Sequence, residues 1–204
     1  MIDRARILVV AATERELAAP QGWLTLRCGV GPVEAAIATA AAIATAAAIA
    51  EHRPLALVHV GIAGARRARA VAPGTLVIGS ESRYCDLTID PQWAPSRLTP
   101  HAALLQAATR ALPDALVECI GTSAQVGGIG GIDDTKGCDI EAMEGFAVLR
   151  AAERAGIPAI EIRVISNDIE ERNRSRWHFD QAFAAITTIT ARVVEEIARG
   201  LPDA

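Results

Sequence analysis

The chain has 204 residues, of which 51% are hydrophobic and 22% charged, and its formal net charge at pH 7 is −4. A chain of this length and composition can bury a full core, and we expect a single domain over residues 1–204. The basic residues are dispersed along the sequence. Composition therefore indicates neither a nucleic-acid partner nor a surface for an anionic membrane.

The cysteines are too far apart in sequence to suggest a metal site. None of the CxxC or Cys/His spacings typical of zinc sites occurs, so we expect no metal, and free thiols in an intracellular chain. The four are Cys28, Cys85, Cys119 and Cys138. The N-terminal apolar run, residues 7–12, is too short for a signal peptide and suits a buried strand. These features predict a cytoplasmic protein.

Strand and helix patterns alternate along the chain, which favours an α/β fold. Strands are predicted at residues 7–10, 23–28, 55–60, 75–78, 117–120 and 159–165. Helices are predicted at residues 33–51, 101–112, 146–155 and 177–201. Thr13 is placed to cap a helix beginning at Glu14, and Pro32 is placed to open the alanine-rich helix.

Small residues follow two of the predicted strands. Residues 61–65 are glycine-rich, and we expect either a tight turn or a loop that lets a ligand approach the backbone closely. Residues 121–126 follow the strand at 117–120 in the same way. Neither segment has the GxGxxG or P-loop pattern, so dinucleotide and nucleoside triphosphate binding are not indicated. Residues 90–100 form a long loop of the kind that often covers a site, and residues 127–131 are predicted to be flexible.

Three carboxylates, Asp139, Glu141 and Glu144, meet where a helix is predicted to begin. Negative charge is favourable there because the first N–H groups lack partners and the helix dipole is positive. This structural role is the simplest interpretation of Asp139 and Glu141. Glu144 differs, because it lies between Met143 and Gly145 among apolar residues, where a buried carboxylate needs a hydroxyl or a cation as partner. Its position suits binding of a sugar hydroxyl.

Polar side chains collect at three places near strand ends or helix starts: Glu14 and Glu16, Glu144, and Asn167 and Asp168. In open α/β sheets ligands bind beyond the carboxyl ends of strands, although the last pair is also compatible with a simple turn. Carboxylates with an amide, and without a covalent nucleophile or a metal cluster, fit a reaction through a cationic transition state. Cleavage of a glycosidic or N-glycosidic bond is the class that we infer.

Several segments together resemble the purine nucleoside phosphorylase and nucleosidase superfamily, and within it most closely the futalosine hydrolases. The matching segments are residues 7–17, 29–32, 61–65, 141–148, 163–167 and 176–178. The resemblance implies a three-layer α/β/α sandwich around a central mixed, partly closed β-sheet. It also implies an enzyme that hydrolyses a purine nucleoside without a cofactor and that assembles as a homo-oligomer.

The resemblance implies catalytic roles for three residues. Glu16 matches the carboxylate that activates water. Asn167 falls where adenine-specific relatives carry an aspartate that serves N7, and its NH2 suits a 6-oxopurine such as hypoxanthine. Asp168 takes an acid role instead if the register shifts by one residue.

Further residues are implied in substrate binding. Glu144 matches the glutamate that binds ribose hydroxyls, and Met143 the residue that packs on the sugar. Other expected substrate contacts are Ile62, Ala63, Gly64, Gln125 and Val126.

Three alternatives to a futalosine hydrolase remain open. A methylthioadenosine/S-adenosylhomocysteine nucleosidase is suggested by residues 83–86, and phosphorolysis by Arg15 beside Glu16. A relative that only binds a nucleoside is the third. Residues 123–126 also lack the aromatic side chain expected to stack on the base, for which Trp93 and Phe146 are the candidates.

Overall fold

The computed structural model describes residues 1–48, 53–127 and 137–201. The strands are β1 (Ile7–Ala11), β2 (Leu24–Arg27), β3 (Ala56–Ala65), β4 (Leu76–Tyr84), β5 (Arg97–Leu98), β6 (Leu116–Thr122), β7 (Ile140–Ala142) and β8 (Ala159–Asp168). The helices are α1 (Pro32–Ala47), α2 (Ala102–Ala111), α3 (Gly145–Arg154) and α4 (Phe179–Gly200).

The eight strands of the described residues belong to one mixed sheet, and five of them close into a ring. β8 pairs with β3 in parallel and with β4 in antiparallel orientation, while β6 and β7 complete the ring from β4 back to β3. β1 and β2 extend the sheet beyond β3, and β5 pairs with β4. The predicted mixed, partly closed sheet is confirmed.

Helices cover the sheet on two sides. α2 and α4 pack together over one apolar cluster that includes Val9, Val58 and Ile162. α1 and α3 pack together over a second cluster that includes Val10 and Leu57. β1 contributes alternate residues to the two clusters because successive side chains of a strand point to opposite faces. This is the predicted three-layer α/β/α arrangement.

The glycine-rich residues 61–65 form the second half of β3. Neither of the two predicted alternatives, a tight turn or a loop, is therefore correct. A Cβ on Gly61 would clash with the Arg163 guanidinium, and a Cβ on Gly64 would lie 3.1 Å from Asn167 Nδ2. Glycine is therefore required for close side-chain approach within the sheet. The register of β3 against β8 shifts between Ala63 and Gly64.

The ends of two other elements differ from the prediction. Glu141 lies on the short strand β7 and not in the first turn of a helix, and Glu144 is the residue before α3 begins. β8 continues to Asp168, so Asn167 is a strand residue and not part of a turn. In both places pairing with strands distant in sequence extends the β structure.

The expectation of four free thiols is wrong for two of them. Cys119 and Cys138 form a disulfide, with the sulfur atoms 2.12 Å apart, whereas Cys28 and Cys85 are buried thiols. Cys119 lies on β6 and Cys138 lies two residues before β7, which pairs with β6, so the sheet brings the two cysteines together across 19 positions.

Parts of two predictions, at residues 49–51 and 128–131, lie outside the described residues. Among those described, no helix has the length and apolar character needed to cross a membrane. No group of three or more His, Cys, Asp or Glu side chains in the described ranges is arranged to hold a metal ion.

Candidate active site

A cavity of about 330 Å³ opens at the C-terminal ends of β1, β3 and β8. One half of its wall carries polar side chains, namely Glu16, Glu141, Glu144, Ser166 and Asn167. The other half carries aromatic side chains, namely Trp177, Phe179 and Phe183. The cavity is also lined by residues that the sequence predicts as substrate contacts, namely Ile62, Ala63, Gly64, Met143 and Val126.

Glu16 is held rigidly beside the cavity by the short 3-10 turn that follows β1. Its Oε2 accepts hydrogen bonds from the Thr13 backbone N–H at 2.9 Å and from the Thr13 hydroxyl at 2.7 Å. Its Oε1 accepts from the Ile62 backbone N–H at 3.1 Å. The predicted Thr13 cap is confirmed as a reciprocal capping box. The carboxylate is 3% exposed, so the cavity is its remaining open side.

Glu144 approaches the same cavity from the start of α3. Its Oε1 accepts from the Gly31 backbone N–H at 3.1 Å, and its Oε2 lies 3.5 Å from Arg163 Nη2. Burial raises the pKa of the Glu144 carboxyl above its ordinary value, and Arg163 and the Gly31 N–H offset only part of this rise. Neighbouring carboxylates at Glu16 and Glu161 raise the pKa further.

Arg163 is the buried cation that joins these carboxylates. It is fully excluded from solvent, and its Nε donates to Glu161 Oε1 at 2.8 Å. Burial disfavours the charged guanidinium, but Glu161 and Glu144 outweigh that effect and raise its pKa. Arg163 therefore stays charged and links Glu161 to Glu144 electrostatically.

His59 lies beneath Arg163 as a neutral ring. Its Nδ1 is 3.0 Å from the Val10 carbonyl oxygen, and its Nε2 is 2.6 Å from Arg163 Nη2. Since a carbonyl only accepts and a guanidinium only donates, the proton is on Nδ1 and Nε2 accepts. Burial and the charge of Arg163 hold the His59 pKa well below its ordinary value.

Asn167 lines the same cavity as Glu16. Its Oδ1 accepts from the Ser166 hydroxyl at 2.7 Å, and its Nδ2 donates to the Asp168 carbonyl at 2.8 Å. These contacts fix which end of the amide carries the donors. Nδ2 keeps a second hydrogen for a ligand, because an amide nitrogen has two.

The aromatic half is built by the segment that enters α4. Trp177, Phe179 and Phe183 form a row, with ring centroids 5.3 Å and 5.9 Å apart. The Trp177 indole N–H donates to the Glu171 carbonyl at 2.8 Å, which fixes its orientation. Arg174 lines the edge of this half, with its guanidinium carbon 5.8 Å from the Trp177 ring centroid.

Two sequence-based candidates for aromatic stacking lie elsewhere. Trp93 is 75% exposed, and Phe146 is buried in the core against Tyr84. Neither lines the cavity, because Trp93 is on the loop before β5 and Phe146 points into the layer between α3 and the sheet.

These features agree with the comparisons with known proteins. Residues 23–199 match the model of the phosphorylase superfamily. The chain belongs to this superfamily. The predicted resemblance is thereby confirmed.

Relatives within the superfamily include nucleosidases. Futalosine hydrolase of Streptomyces coelicolor is 34% identical over 190 residues, which cover 85% of this chain and 79% of that protein. A methylthioadenosine/S-adenosylhomocysteine nucleosidase of Neisseria meningitidis, solved with methylthio-immucillin-A, matches with a TM-score of 0.75 at 22% identity, over 96% of this chain and 99% of its own. Futalosine hydrolase of Helicobacter pylori matches with a TM-score of 0.76 at 15% identity, over the same shares. The two structures share the fold of this chain.

Two of the sequence-predicted site residues lie apart from the cavity lining. The Asp168 carboxylate faces Arg67, with Oδ2 at 3.1 Å from Nε, on the outer side of the β8 end. Gln125 is exposed, and only its neighbour Val126 lines the cavity. Asn167 and Asp168 are successive residues of β8 and point to opposite faces, so only one of the two faces the cavity.

Sequence reasoning missed the layer beneath the cavity, formed by His59, Glu161 and Arg163. A signal was present, because Glu161 and Arg163 alternate with Ile160, Ile162 and Val164 in a strand that otherwise reads as buried. Alternating charges in such a strand indicate one face turned toward a polar interior. The aromatic residues of α4 gave no comparable signal, since their spacing also fits an ordinary core-facing helix.

Proposed function

We propose that this chain hydrolyses the N-glycosidic bond of a purine nucleoside and that its substrate is futalosine. The observation that carries the proposal is the meeting of Glu16, Glu144 and Asn167 on one cavity. The relative from Streptomyces coelicolor, a futalosine hydrolase, supports the choice of substrate. The geometry supports a separate role for each of the three residues.

Glu16 is the proposed general base. Three hydrogen bonds from Thr13 and Ile62 fix the carboxylate, so that its orientation is set before the substrate binds. A fixed carboxylate at the cavity wall suits removal of a proton from a water that attacks C1′ of the ribose.

Glu144 is the proposed ribose-binding residue. Its carboxylate accepts hydrogen bonds from the sugar hydroxyls, and these bonds strengthen as positive charge develops on the ribosyl ring. Arg163 and the Gly31 N–H hold the carboxylate in place. Met143 lines the cavity next to Glu144 and supplies the apolar contact with the sugar.

Asn167 is the proposed contact to the leaving base. Its free Nδ2 hydrogen suits N7 or O6 of a 6-oxopurine, both of which accept hydrogen bonds. The acid role considered for Asp168 is less well supported, since that carboxylate pairs with Arg67 away from the cavity. Hypoxanthine is therefore the proposed product.

The aromatic half supports a substrate whose 5′ substituent is larger than the hydroxyl of inosine. Trp177, Phe179 and Phe183 add aromatic surface to the cavity that Glu16, Glu144 and Asn167 also line. Contact with a 5′-hydroxyl adds little binding energy at such an apolar surface, whereas an aromatic or aliphatic 5′ substituent packs well against it.

Water is the proposed nucleophile, in preference to phosphate. Arg15, which favoured phosphorolysis in the sequence, pairs with Asp180 at 2.8 Å with both side chains largely exposed. It does not line the cavity. The carboxylate of Glu16, which does, repels phosphate and accepts a proton from water.

We also propose that the protein forms a homo-oligomer. Val30, Val33 and Ile37 are more than half exposed, and Val30 lines the cavity. Such a contiguous apolar surface beside a site is typical of an interface. Light scattering should give a mass of at least twice the 21.4 kDa of the chain; a monomer at micromolar concentration contradicts this part.

The activity is tested by chromatography of released bases. Inosine, futalosine, aminofutalosine and methylthioadenosine are each incubated with and without phosphate. We expect hypoxanthine from futalosine at a rate independent of phosphate, and a fall of roughly 100-fold or more in kcat for Glu16→Gln, within the range for loss of a general base. Adenine as the main product contradicts the proposed substrate, and phosphate dependence contradicts the role of Glu16.

A further inference from the structure

Arg174 is a cation in the cavity lining whose charge no protein group neutralises. Its guanidinium carbon lies 5.8 Å from the centroid of the Trp177 ring, and both side chains line the cavity. Within the part of the chain that the structure describes, the guanidinium has no carboxylate partner and donates no hydrogen bond. The other charged groups that the structure describes in this lining are carboxylates. Arg174 is therefore the place in the lining where an anion is attracted.

Neighbouring arginines differ from Arg174 in this respect. Arg176 belongs to the same short turn, and its Nη1 lies 3.3 Å from Glu171 Oε2. Arg15 packs on the last ring of the aromatic row and lies 2.8 Å from Asp180. Both of these arginines lie outside the cavity lining. A carboxylate of the protein thus serves the arginines that face away from the cavity, whereas Arg174 is left for a ligand.

The main chain holds Arg174 beside the aromatic row. The 3-10 turn Arg174–Arg176 precedes Trp177, whose backbone N–H donates to the Arg174 carbonyl at 3.1 Å. The next backbone N–H, that of His178, donates to the Ser166 carbonyl at 2.8 Å and so fastens this segment to the end of β8. The distance between the cation and the aromatic rings is therefore limited by the fold before any ligand binds.

An aromatic surface followed by a cation matches one class of ligand group. An aromatic ring packs against Trp177, Phe179 and Phe183, and an anion carried by that ring reaches the guanidinium. The planar guanidinium matches a carboxylate especially well, because it can donate two parallel hydrogen bonds. We propose that Arg174 is a specificity-determining residue that pairs with a carboxylate on an aromatic 5′ substituent of the substrate. This inference rests on the proposed nucleosidase function.

The test uses nucleosides that differ only in this carboxylate. The probes are 5′-S-phenyl-5′-thioinosine and its 3-carboxyphenyl and 4-carboxyphenyl derivatives, and release of hypoxanthine is measured by chromatography. We expect kcat/KM for the better carboxyphenyl probe to exceed that for the phenyl probe by roughly tenfold. This is the lower end for a hydrogen bond to a charged group, because Arg174 is exposed.

Arg174→Met is the decisive variant, since it keeps an apolar stem against Trp177 but removes the charge. It should abolish the preference for the carboxyphenyl probe, mainly through a higher KM for that probe. Arg174→Lys should restore part of the preference. Arg172→Met is the matched control, because Arg172 is exposed on the same segment but does not line the cavity, and it should keep the wild-type preference.

Salt provides a measurement on the wild type that a merely structural role of Arg174 would not affect. Raising the ionic strength from about 0.03 M to about 0.5 M screens an exposed charge pair but not aromatic packing. The preference for the carboxyphenyl probe should therefore shrink, whereas kcat/KM for the phenyl probe should change little. A preference that is independent of salt contradicts a charge pair.

Three further results overturn the proposal. The first is an equal kcat/KM for phenyl and carboxyphenyl probes in the wild type, and the second is a preference that survives in Arg174→Met. The third uses inosine 5′-monophosphate, which has an anion but no aromatic 5′ group. If it gains as much over inosine, and loses that gain in Arg174→Met, Arg174 recognises a 5′-phosphate and the aromatic acid is wrong.

Calorimetry with the same probes separates this proposal from the proposed function. If no base is released from any nucleoside but the carboxyphenyl probe still binds more tightly in an Arg174-dependent manner, the nucleosidase proposal fails and the binding role of Arg174 stands. If hypoxanthine is released but all probes bind and react equally, the role of Arg174 fails and the activity stands.

Discussion

The guanidinium of Arg163 lies 3.5 Å from Glu144 Oε2, and both side chains are almost completely excluded from solvent. Arg163 nonetheless does not restore an ordinary acidity to Glu144, because burial and the carboxylates of Glu16 and Glu161 act in the opposite direction. The pKa of Glu144 therefore lies above the ordinary value of a glutamate, so this carboxylate takes up a proton at a higher pH than a surface glutamate does.

The pH dependence of ligand binding should report this shift. If ionised Glu144 accepts the ribose hydroxyls, affinity for a non-hydrolysable nucleoside is lost as pH falls through a pKa above the ordinary 4.5 of a glutamate. Below that pKa the affinity falls by about tenfold for each pH unit, which is about 1.4 kcal/mol of binding free energy. Calorimetry between pH 4.5 and 8 measures it. Glu144→Gln should bind the nucleoside more weakly, and its affinity should not fall further as the pH is lowered. A wild-type affinity that stays constant down to pH 4.5 contradicts the ribose-binding role of Glu144.

The pair between Glu161 and Arg163 should dominate the stability of the site. Glu161→Gln removes the carboxylate at 2.8 Å and leaves a fully buried cation with Glu144 as its remaining close carboxylate. Breaking a buried pair typically costs about 3–5 kcal/mol, and we expect the lower end because Glu144 remains. Urea denaturation measures the free energy of unfolding.

A surface pair provides the control for this change. Glu195 and Arg199 are 2.5 Å apart, one helical turn apart on α4, and both are about half exposed. Glu195→Gln should cost less than about 1 kcal/mol. If Glu161→Gln costs no more than Glu195→Gln, the buried network does not stabilise the fold as described.

Much of this fold is visible in local patterns, because buried strands and amphipathic helices have distinct periodicities. The pattern of β1 and the cap at Thr13 together position Glu16, and the Ser-Asn pair at the end of β8 positions Asn167. These features need only a few consecutive residues to be recognised.

What the sequence could not reveal depends on contacts between distant segments. β7 has three residues and exists because β3 and β6 pair with it on either side. When those partner strands are not known, the local sequence predicts that Glu141 is a charge at the start of a helix. The same holds for residues 61–65, where glycine predicts a turn although the close approach of Arg163 and Asn167 is what requires it.

The neutral His59 should make the protein less stable in mild acid. Its pKa is well below 6.5 in the folded chain, so below pH 6.5 the unfolded chain binds a proton that the folded chain does not. Stability is therefore present above pH 6.5 and lost as pH falls below it. For one such group the loss between pH 7.5 and 5.5 is about 1.4 kcal/mol.

The experiment compares the free energy of unfolding at these two pH values in wild type, His59→Asn and His178→Asn. His178 is exposed and precedes α4. His59→Asn should be less stable at pH 7.5 but should lose about 1.4 kcal/mol less than wild type on acidification. His178→Asn should follow wild type. An equal pH dependence in all three shows that His59 is protonated in the folded chain.

Gly145 should tolerate no side chain, although it occupies the first position of α3. A Cβ there would clash with both carboxylate oxygens of Glu161, which lie over the helix start. Alanine gains about 1 kcal/mol over glycine in helix propensity, but overpacking typically costs about 1–3 kcal/mol, and here it also displaces the partner of Arg163. We expect Gly145→Ala to lower the free energy of unfolding by at least about 2 kcal/mol and to reduce kcat, because Glu144 is its direct neighbour.

Gly200→Ala is the matched control at the other end of a helix, where the new Cβ would meet the movable Arg110 guanidinium at 3.0 Å. It should change stability by less than about 1 kcal/mol. Urea denaturation and futalosine turnover measure both variants, and a Gly145→Ala protein with wild-type stability and rate would remove Glu161 from the position over the start of α3.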